Sequence, residues 1–307
     1  QTFLATNVLT NNVMLLAGFA LLLVGLGFKV AAVPFHAWTP DVYEGSPSPV
    51  VAYMASGVKV AGFAGMIRVF TYTFSIYRDD WQPMIYVLAV ATLIIGSLFA
   101  VSQTNVKRML AYSSISHAGF ILVAIEAAST QGTRAALFYL ATYTFMVAGS
   151  FGVVTVVGRS GDNAHDLSDY NGLAKRSPLL AFAFLVFLLA QAGVPFTSGF
   201  LAKFGVIGAA VDARSFWLAL VAMLSSVISA FVYLRIVLAM YDRDTEVTGP
   251  KLTVPVGARV AILIALVVTI GVGLVPEPLA HVTRTAVALT EPRPAPEAAP
   301  IELSAGG

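Results

Sequence analysis

Four basic side chains lie within strongly apolar sequence: Lys29, Lys59, His117 and Lys203. A lysine at the centre of a bilayer costs roughly 2.5–3.5 kcal/mol to insert, so one retained there is a functional candidate by default. Lysine and histidine both take up and release protons, and the chemistry these four suggest is proton transfer without a bound cofactor. Lys59 lies deep in the run Ala55-Ser-Gly-Val-Lys-Val-Ala-Gly-Phe, where Gly57, Ala61 and Gly65 recur every four positions and let another helix approach closely. The plain alternative for Lys59 is a structural salt bridge, although no acid within the apolar runs offers itself as partner. His117 follows Ser113 and Ser114 by one helical turn, which places two hydroxyls beside the imidazole. An interhelical hydrogen bond would equally account for it. Lys29 precedes Pro34 by five residues and Lys203 follows Pro195 by eight. On straight helices both lysines would snorkel to an interface; on helices broken at the prolines both would be held at depth.

Other polar groups suggest less. Glu126 and Arg235 fall near the ends of apolar runs, as interfacial residues do. His36, Asp41 and Glu44 have no metal-ligand spacing and read better as a hydrogen-bonded cap. Gly25-Leu-Gly-Phe-Lys stops short of a phosphate-binding glycine motif. The chain contains no cysteine, which excludes disulfides, thiolate zinc sites and iron–sulfur ligation within it.

The elements that must position these residues are membrane spans. Of 307 residues 58% are hydrophobic and 11% charged, with a mean hydropathy of +0.82. Soluble domains carry about 25% charged residues. The composition predicts an all-α polytopic membrane protein, and a net charge of +2 without basic runs gives no reason to expect nucleic acid. About 20 apolar residues cross the ~30 Å hydrocarbon layer. Eight runs qualify: 12–32, 49–73, 83–103, 108–128, 134–158, 178–211, 214–241 and 256–275. They make up a transmembrane domain over 1–275, and residues 276–307 form a Pro/Ala-rich tail expected to be disordered.

Two runs are irregular. The run 178–211 would extend about 50 Å as one straight helix, too long for a bilayer. It contains Ala192-Gly-Val-Pro-Phe, and the first run ends in the related Ala31-Ala-Val-Pro-Phe. Proline removes a backbone donor and clashes one turn back, so breaks are expected at Pro34 and Pro195. Interrupted spans in matching positions point to a transporter built from repeats. Loops after odd-numbered spans carry Lys107, Arg108, Arg159, Lys175, Arg176, Arg243 and Lys251, whereas the others carry Arg78, Arg134 and Arg214. The positive-inside rule then places the first set in the cytoplasm and the C-terminus outside.

The string Phe28-Lys-Val-Ala-Ala-Val-Pro-Phe-His-Ala-Trp-Thr-Pro-Asp-Val-Tyr-Glu-Gly-Ser-Pro-Ser-Pro-Val resembles the signature of the N subunits of bacterial NADH–quinone oxidoreductase, respiratory complex I. Gln103-Thr-Asn-Val-Lys-Arg-Met-Leu-Ala-Tyr-Ser-Ser-Ile-Ser-His-Ala-Gly and Ala192-Gly-Val-Pro-Phe-Thr-Ser-Gly-Phe-Leu-Ala-Lys-Phe extend the resemblance over residues 28–204. The sister L and M subunits and the cation/proton antiporters usually read Trp-Leu-Pro-Asp-Ala-His where this chain has Trp38-Thr-Pro-Asp-Val-Tyr.

The resemblance implies an antiporter-like helix bundle with inverted repeats, each containing one broken helix, of which the eight spans would be the seventh to fourteenth. It implies that Lys29, Lys59, His117 and Lys203 form a proton relay supported by Ser113 and Ser114. It also implies a glutamate partner for Lys29 on the fifth helix, expected before Gln1. NADH, FMN, iron–sulfur clusters and quinone would belong to other subunits of the complex, with none of these cofactors in this chain. The partners implied are a neighbouring antiporter-like subunit, small membrane subunits and the lipid of the bacterial plasma membrane. Two rivals remain: a membrane-arm scaffold without a proton path, and a cation/proton antiporter subunit.

Overall fold

The structure, a computed structural model, describes residues 12–158, 161–242 and 252–288. Among the described residues the regular structure is helical, apart from one isolated β-bridge between Asn105 and Asp166. The helices are α1 (Asn12–Val30), α2 (Trp38–Gly45), α3 (Ser48–Thr73), α4 (Arg78–Val101), α5 (Val106–Glu126), α6 (Thr130–Gly158), α7 (Pro178–Ala192), α8 (Ser198–Asp212), α9 (Phe216–Met240), α10 (Val256–Leu274) and α11 (Glu277–Ala288). Seven of them are long and apolar enough to cross a membrane singly; α7 is apolar but shorter, and α8 continues it beyond a break.

Helix α5 is the axis of the bundle. The side chain of Asn105 accepts from the backbone N–H groups of Lys107 (2.9 Å) and Arg108 (3.3 Å), satisfying donors that a helix start leaves orphaned. Helices α2, α4, α6, α8 and α9 all pack on α5. Consequently 94% of its apolar window is buried, against 22% for α1 and 17% for α10, which lie at the periphery. Glycine sets the closest approach: a Cβ on Gly96 of α4 would lie 2.6 Å from the backbone nitrogen of Ser116.

Helix α3 is not a uniform α-helix. Met54–Val58 and Ile67–Thr73 are π-helical and bracket the regular turns Lys59–Met66. An i→i+5 turn widens the coil locally and re-aims the residues that follow, here Lys59, toward α5.

Both proline strings interrupt helices, in different ways. Helix α1 completes nineteen residues before Ala31 turns to positive φ, and the eight-residue α2 follows. Helices α7 and α8 are fifteen residues each, about 22 Å, so neither spans alone. Gly193 (φ 91°) and Phe196 (φ 67°) make the turn between them.

The expectation of a tail without structure from residue 276 does not hold for its first part. Glu277–Ala288 is a helix that buries Thr283 and Val287 and packs on α6 and α10. An apolar stripe with Val287 is short enough to be hidden by the surrounding Ala and Pro in a composition reading. The remaining tail, 289–307, lies outside the described residues, as do Arg159, Arg243 and Lys251 of the loop-charge argument.

Candidate functional site

Three of the four basic residues converge on α5. Lys59 is buried, and its Nζ donates to the backbone carbonyl of Ser114 (2.6 Å) and to Ser114 Oγ (2.5 Å). The ammonium also stands 5.6 Å from the centroid of the Tyr143 ring. His117 is equally buried and spans two hydroxyls: Nδ1 meets Tyr139 Oη at 2.7 Å and Nε2 meets Tyr233 Oη at 3.1 Å. Tyr233 in turn hydrogen-bonds Ser113. Lys203 is buried beside the second break, where its Nζ donates to the carbonyl of Ala192 (3.0 Å) and to Ser226 Oγ (2.9 Å). It sits 4.9 Å from the centroid of Phe120, whose ring stacks on Tyr139.

The partners of both lysines are neutral: a carbonyl oxygen, a hydroxyl oxygen and an aromatic face in each case. A lysine fixed for structure in an apolar interior is usually paired with a carboxylate, because removing one member of such a pair leaves an uncompensated charge. The salt-bridge alternative for Lys59 is therefore not what the structure shows. For His117 the hydrogen-bonded reading and the relay reading describe the same geometry, since a ring held between two hydroxyls is both satisfied and connected.

Ser113 and Ser114 divide the work: one holds Tyr233, the other holds Lys59. A second polar group of hydroxyls, Ser116, Ser225 and Ser229, lies between α5 and α9, with Ser116 Oγ 3.1 Å from Ser225 Oγ. Between His117 and Lys203 the connection is aromatic, through Phe120, rather than a chain of hydrogen bonds.

Lys29 is not brought into this cluster. It occupies the last turn of α1 and is exposed, with no hydrogen bond or ion pair among the described residues. Its stem rests near Gly62 of α3, where a Cβ would lie 3.3 Å from Lys29 Cγ. The break beside it does not hold the lysine at depth, and the backbone there is served by other groups: Trp38 Nε1 donates to Phe28 O (3.1 Å) and Val33 N donates to Thr92 Oγ1 (3.0 Å).

One further expectation is corrected. Asp41 and Glu44 do not cap a helix; both pair with Arg108 Nη1, at 2.7 and 2.6 Å, tying α2 to the start of α5. Glu126 ends α5, and its carboxylate is buried in the protein there, accepting from Ser215 Oγ (2.9 Å) and Gln82 Nε2 (3.3 Å).

At the same end as Arg108, Asp162 gathers four donors: Ser48 N (2.8 Å), Ser48 Oγ (2.7 Å), Lys107 Nζ (2.9 Å) and His165 Nε2 (2.8 Å). Partial burial pushes its carboxyl pKa up, but the Lys107 ammonium and the two Ser48 donors outweigh this and leave it below the usual range. Sequence reading missed Asp162, and it missed the tyrosines and Ser226 that hydrogen-bond or flank the buried Lys59, His117 and Lys203. The one available signal was Tyr139 and Tyr143 spaced one turn apart in an apolar run.

Residues 1–229 match the profile of the NADH:quinone oxidoreductase/Mrp antiporter transmembrane family. The chain is 44% identical over 293 residues to NADH-quinone oxidoreductase subunit N 1 of Herpetosiphon aurantiacus, covering 95% of this chain and 60% of that protein. It is 45% identical over 268 residues to NADH-quinone oxidoreductase subunit N of Rhodococcus opacus, covering 87% of this chain and 50% of that one. The chain thus spans about half to three-fifths of the length of these relatives. Among solved structures it is similar to a chain of respiratory complex I from Thermus thermophilus, with a TM-score of 0.75 and 36% identity over 87% of this chain and 58% of that one. A chain of the Mrp complex from Dietzia is similar with a TM-score of 0.81 and 26% identity, over 89% and 59%.

Proposed function

Since the chain belongs to the NADH:quinone oxidoreductase/Mrp antiporter transmembrane family, we propose that it is an antiporter-like membrane-arm subunit of the N type that moves protons along Lys59, His117 and Lys203. One observation carries the proposal: two buried lysines and a buried histidine share one central helix, and the lysines have only neutral partners. Such a lysine is stable as an amine or as an ammonium, whereas a salt-bridged one is pinned in its charged form. Charging one site opposes charging of the next, because Coulomb interactions are weakly screened in a low-dielectric interior. A proton arriving at Lys59 therefore favours departure of one from His117 or Lys203. The serine and tyrosine hydroxyls act as the intermediate donors and acceptors, and Phe120 separates the Lys203 end from the histidine end.

Lys29 belongs to this reading as the outlying member, next to the face of α3 that carries Lys59. NADH oxidation with FMN and iron–sulfur clusters, and quinone reduction, take place in other subunits; the neighbours are a second antiporter-like subunit and small membrane subunits. The assembly resides in the bacterial plasma membrane, with the C-terminus of this chain outside. The likeness to the Dietzia Mrp chain favours a second reading, cation/proton antiport. It is the weaker of the two, since the buried cluster holds two lysines and no carboxylate to offset the charge of a sodium ion.

The test is proton pumping by the intact complex carrying Lys59→Ala. A lower proton-to-electron ratio with quinone reduction still running is expected; an unchanged ratio would sink the direct relay and leave a scaffold.

A further inference from the structure

Remote from the lysine cluster, α6, α8 and α11 enclose a cleft of about 270 Å³. Two arginines reach it, Arg134 from the first turns of α6 and Arg284 from α11, together with Gln131. The rest of the wall is apolar, including Phe138, Leu201 and Ala280. None of the residues lining it is acidic. Arg284 pairs with Glu277 (3.2 Å), but Arg134 has no ion pair among the described residues, and its Nε is buried without an acceptor. A buried guanidinium donor left unpaired costs on the scale of a lost charged hydrogen bond. An oxygen anion from outside the chain would remove that cost.

The position of the cleft selects the anion. Helix α11 follows the apolar span α10 after only Val275 and Pro276, so the cleft opens where a spanning helix ends, at headgroup depth. An apolar wall beside two guanidiniums suits an amphiphile whose charged end is anionic, because it accepts both the head and the top of an acyl chain. A free anion would leave the apolar wall uncovered. We propose that this cleft is a binding site for the phosphate headgroup of an anionic phospholipid, gripped by Arg134 and Arg284.

The test uses the purified membrane assembly containing the full chain and photoactivatable phosphatidylglycerol, with photoactivatable phosphatidylcholine as the uncharged comparison. Labelling by phosphatidylglycerol is expected on residues 131–138 and 276–284, with labelling by phosphatidylcholine at least about fivefold weaker. Arg134→Gln should reduce the phosphatidylglycerol signal about fivefold, and Arg134→Lys, which keeps the charge but not the two-pronged donor, should reduce it less. If Arg134→Gln prevents assembly, Arg284→Gln, on an exposed side chain, provides the same reading. Equal labelling by the two lipids overturns the proposal. So does displacement of the probe by millimolar inorganic phosphate, which would make this a site for free anions. Loss of a neighbouring subunit with lipid labelling intact also overturns it, because Arg134 would then serve a protein carboxylate.

Discussion

The two proline breaks begin with nearly the same five residues and end in different chemistry. At the second, the last carbonyl of α7, that of Ala192, is taken by the ammonium of Lys203 and shared with Ser226. At the first, the carbonyl of Phe28 accepts from Ala31 N (3.2 Å) and from the Trp38 indole, and the N–H of Val33 donates to Thr92. Lys29 is left pointing outward. A break in a membrane helix must find partners for the backbone groups it releases. Whether the neighbouring lysine becomes a buried ionisable group depends on whether it is the side chain that supplies one. A proline near a lysine is thus a signal, but an incomplete one.

The steepest way to test the contrast is steric. A Cβ on Gly199 would fall 1.8 Å from the carbonyl oxygen of Ala190, a backbone atom that cannot move without reshaping the second break. Gly199→Ala should destabilise the chain by about 3 kcal/mol or more, read as lower yield of assembled complex and a lower unfolding temperature. At the first break, a Cβ on Gly27 meets only the edge of the Phe35 ring, at 2.9 Å. Gly27→Ala should cost about 1 kcal/mol or less, since a side chain can yield. Equal losses would show that the breaks are equally rigid.

Function gives the next contrast. Lys203→Ala should lower the proton-to-electron ratio of the intact complex, whereas Lys29→Ala should lower it less, in proportion to its distance from the buried cluster. A larger effect from Lys29 would mean that its exposed face is completed by something that buries it.

The smallest expected effect is acid sensitivity confined to the segment that leaves α2, beyond the first break. Asp162 holds Ser48 and Lys107, and Lys107 Nζ also holds the carbonyl of Ser46 (2.7 Å), so this carboxylate anchors the segment leaving α2. Its folded pKa is lowered, so the stability it contributes is present in full above the ordinary carboxyl value of about 3.9 and is lost as pH falls through the lower folded value. Amide exchange at Ser46 and Ser48 should therefore rise below about pH 4 while exchange at 193–203 does not. Asp162→Asn should show the faster exchange at neutral pH.

Much of the architecture was legible in the sequence because lipid enforces simple rules: run length gives a span, and proline gives a break. Lys59, His117 and Lys203 were legible for the same reason, each a polar residue in the wrong solvent. What surrounds them was not. Tyr139 and Tyr233 look like ordinary aromatics of an apolar helix until the register between α5, α6 and α9 is known, and Ser226 is one of many serines that could satisfy their own helix. The π turns on either side of Lys59 leave no compositional trace. That Trp38 reaches back ten residues to the Phe28 carbonyl, and that Lys29 is exposed, are matters of three-dimensional geometry that pattern reading does not contain.

The glycine contacts between α4 and α5 have a mechanical corollary. With Gly96 lying against the backbone of Ser116 and Gly119 against that of Leu93, these two helices are keyed together like a shaft in its slot. Neither can rotate or slide without backbone striking backbone. For the proposed relay this leaves motion to side chains alone: long lysine arms and rotating hydroxyls around a stationary rod.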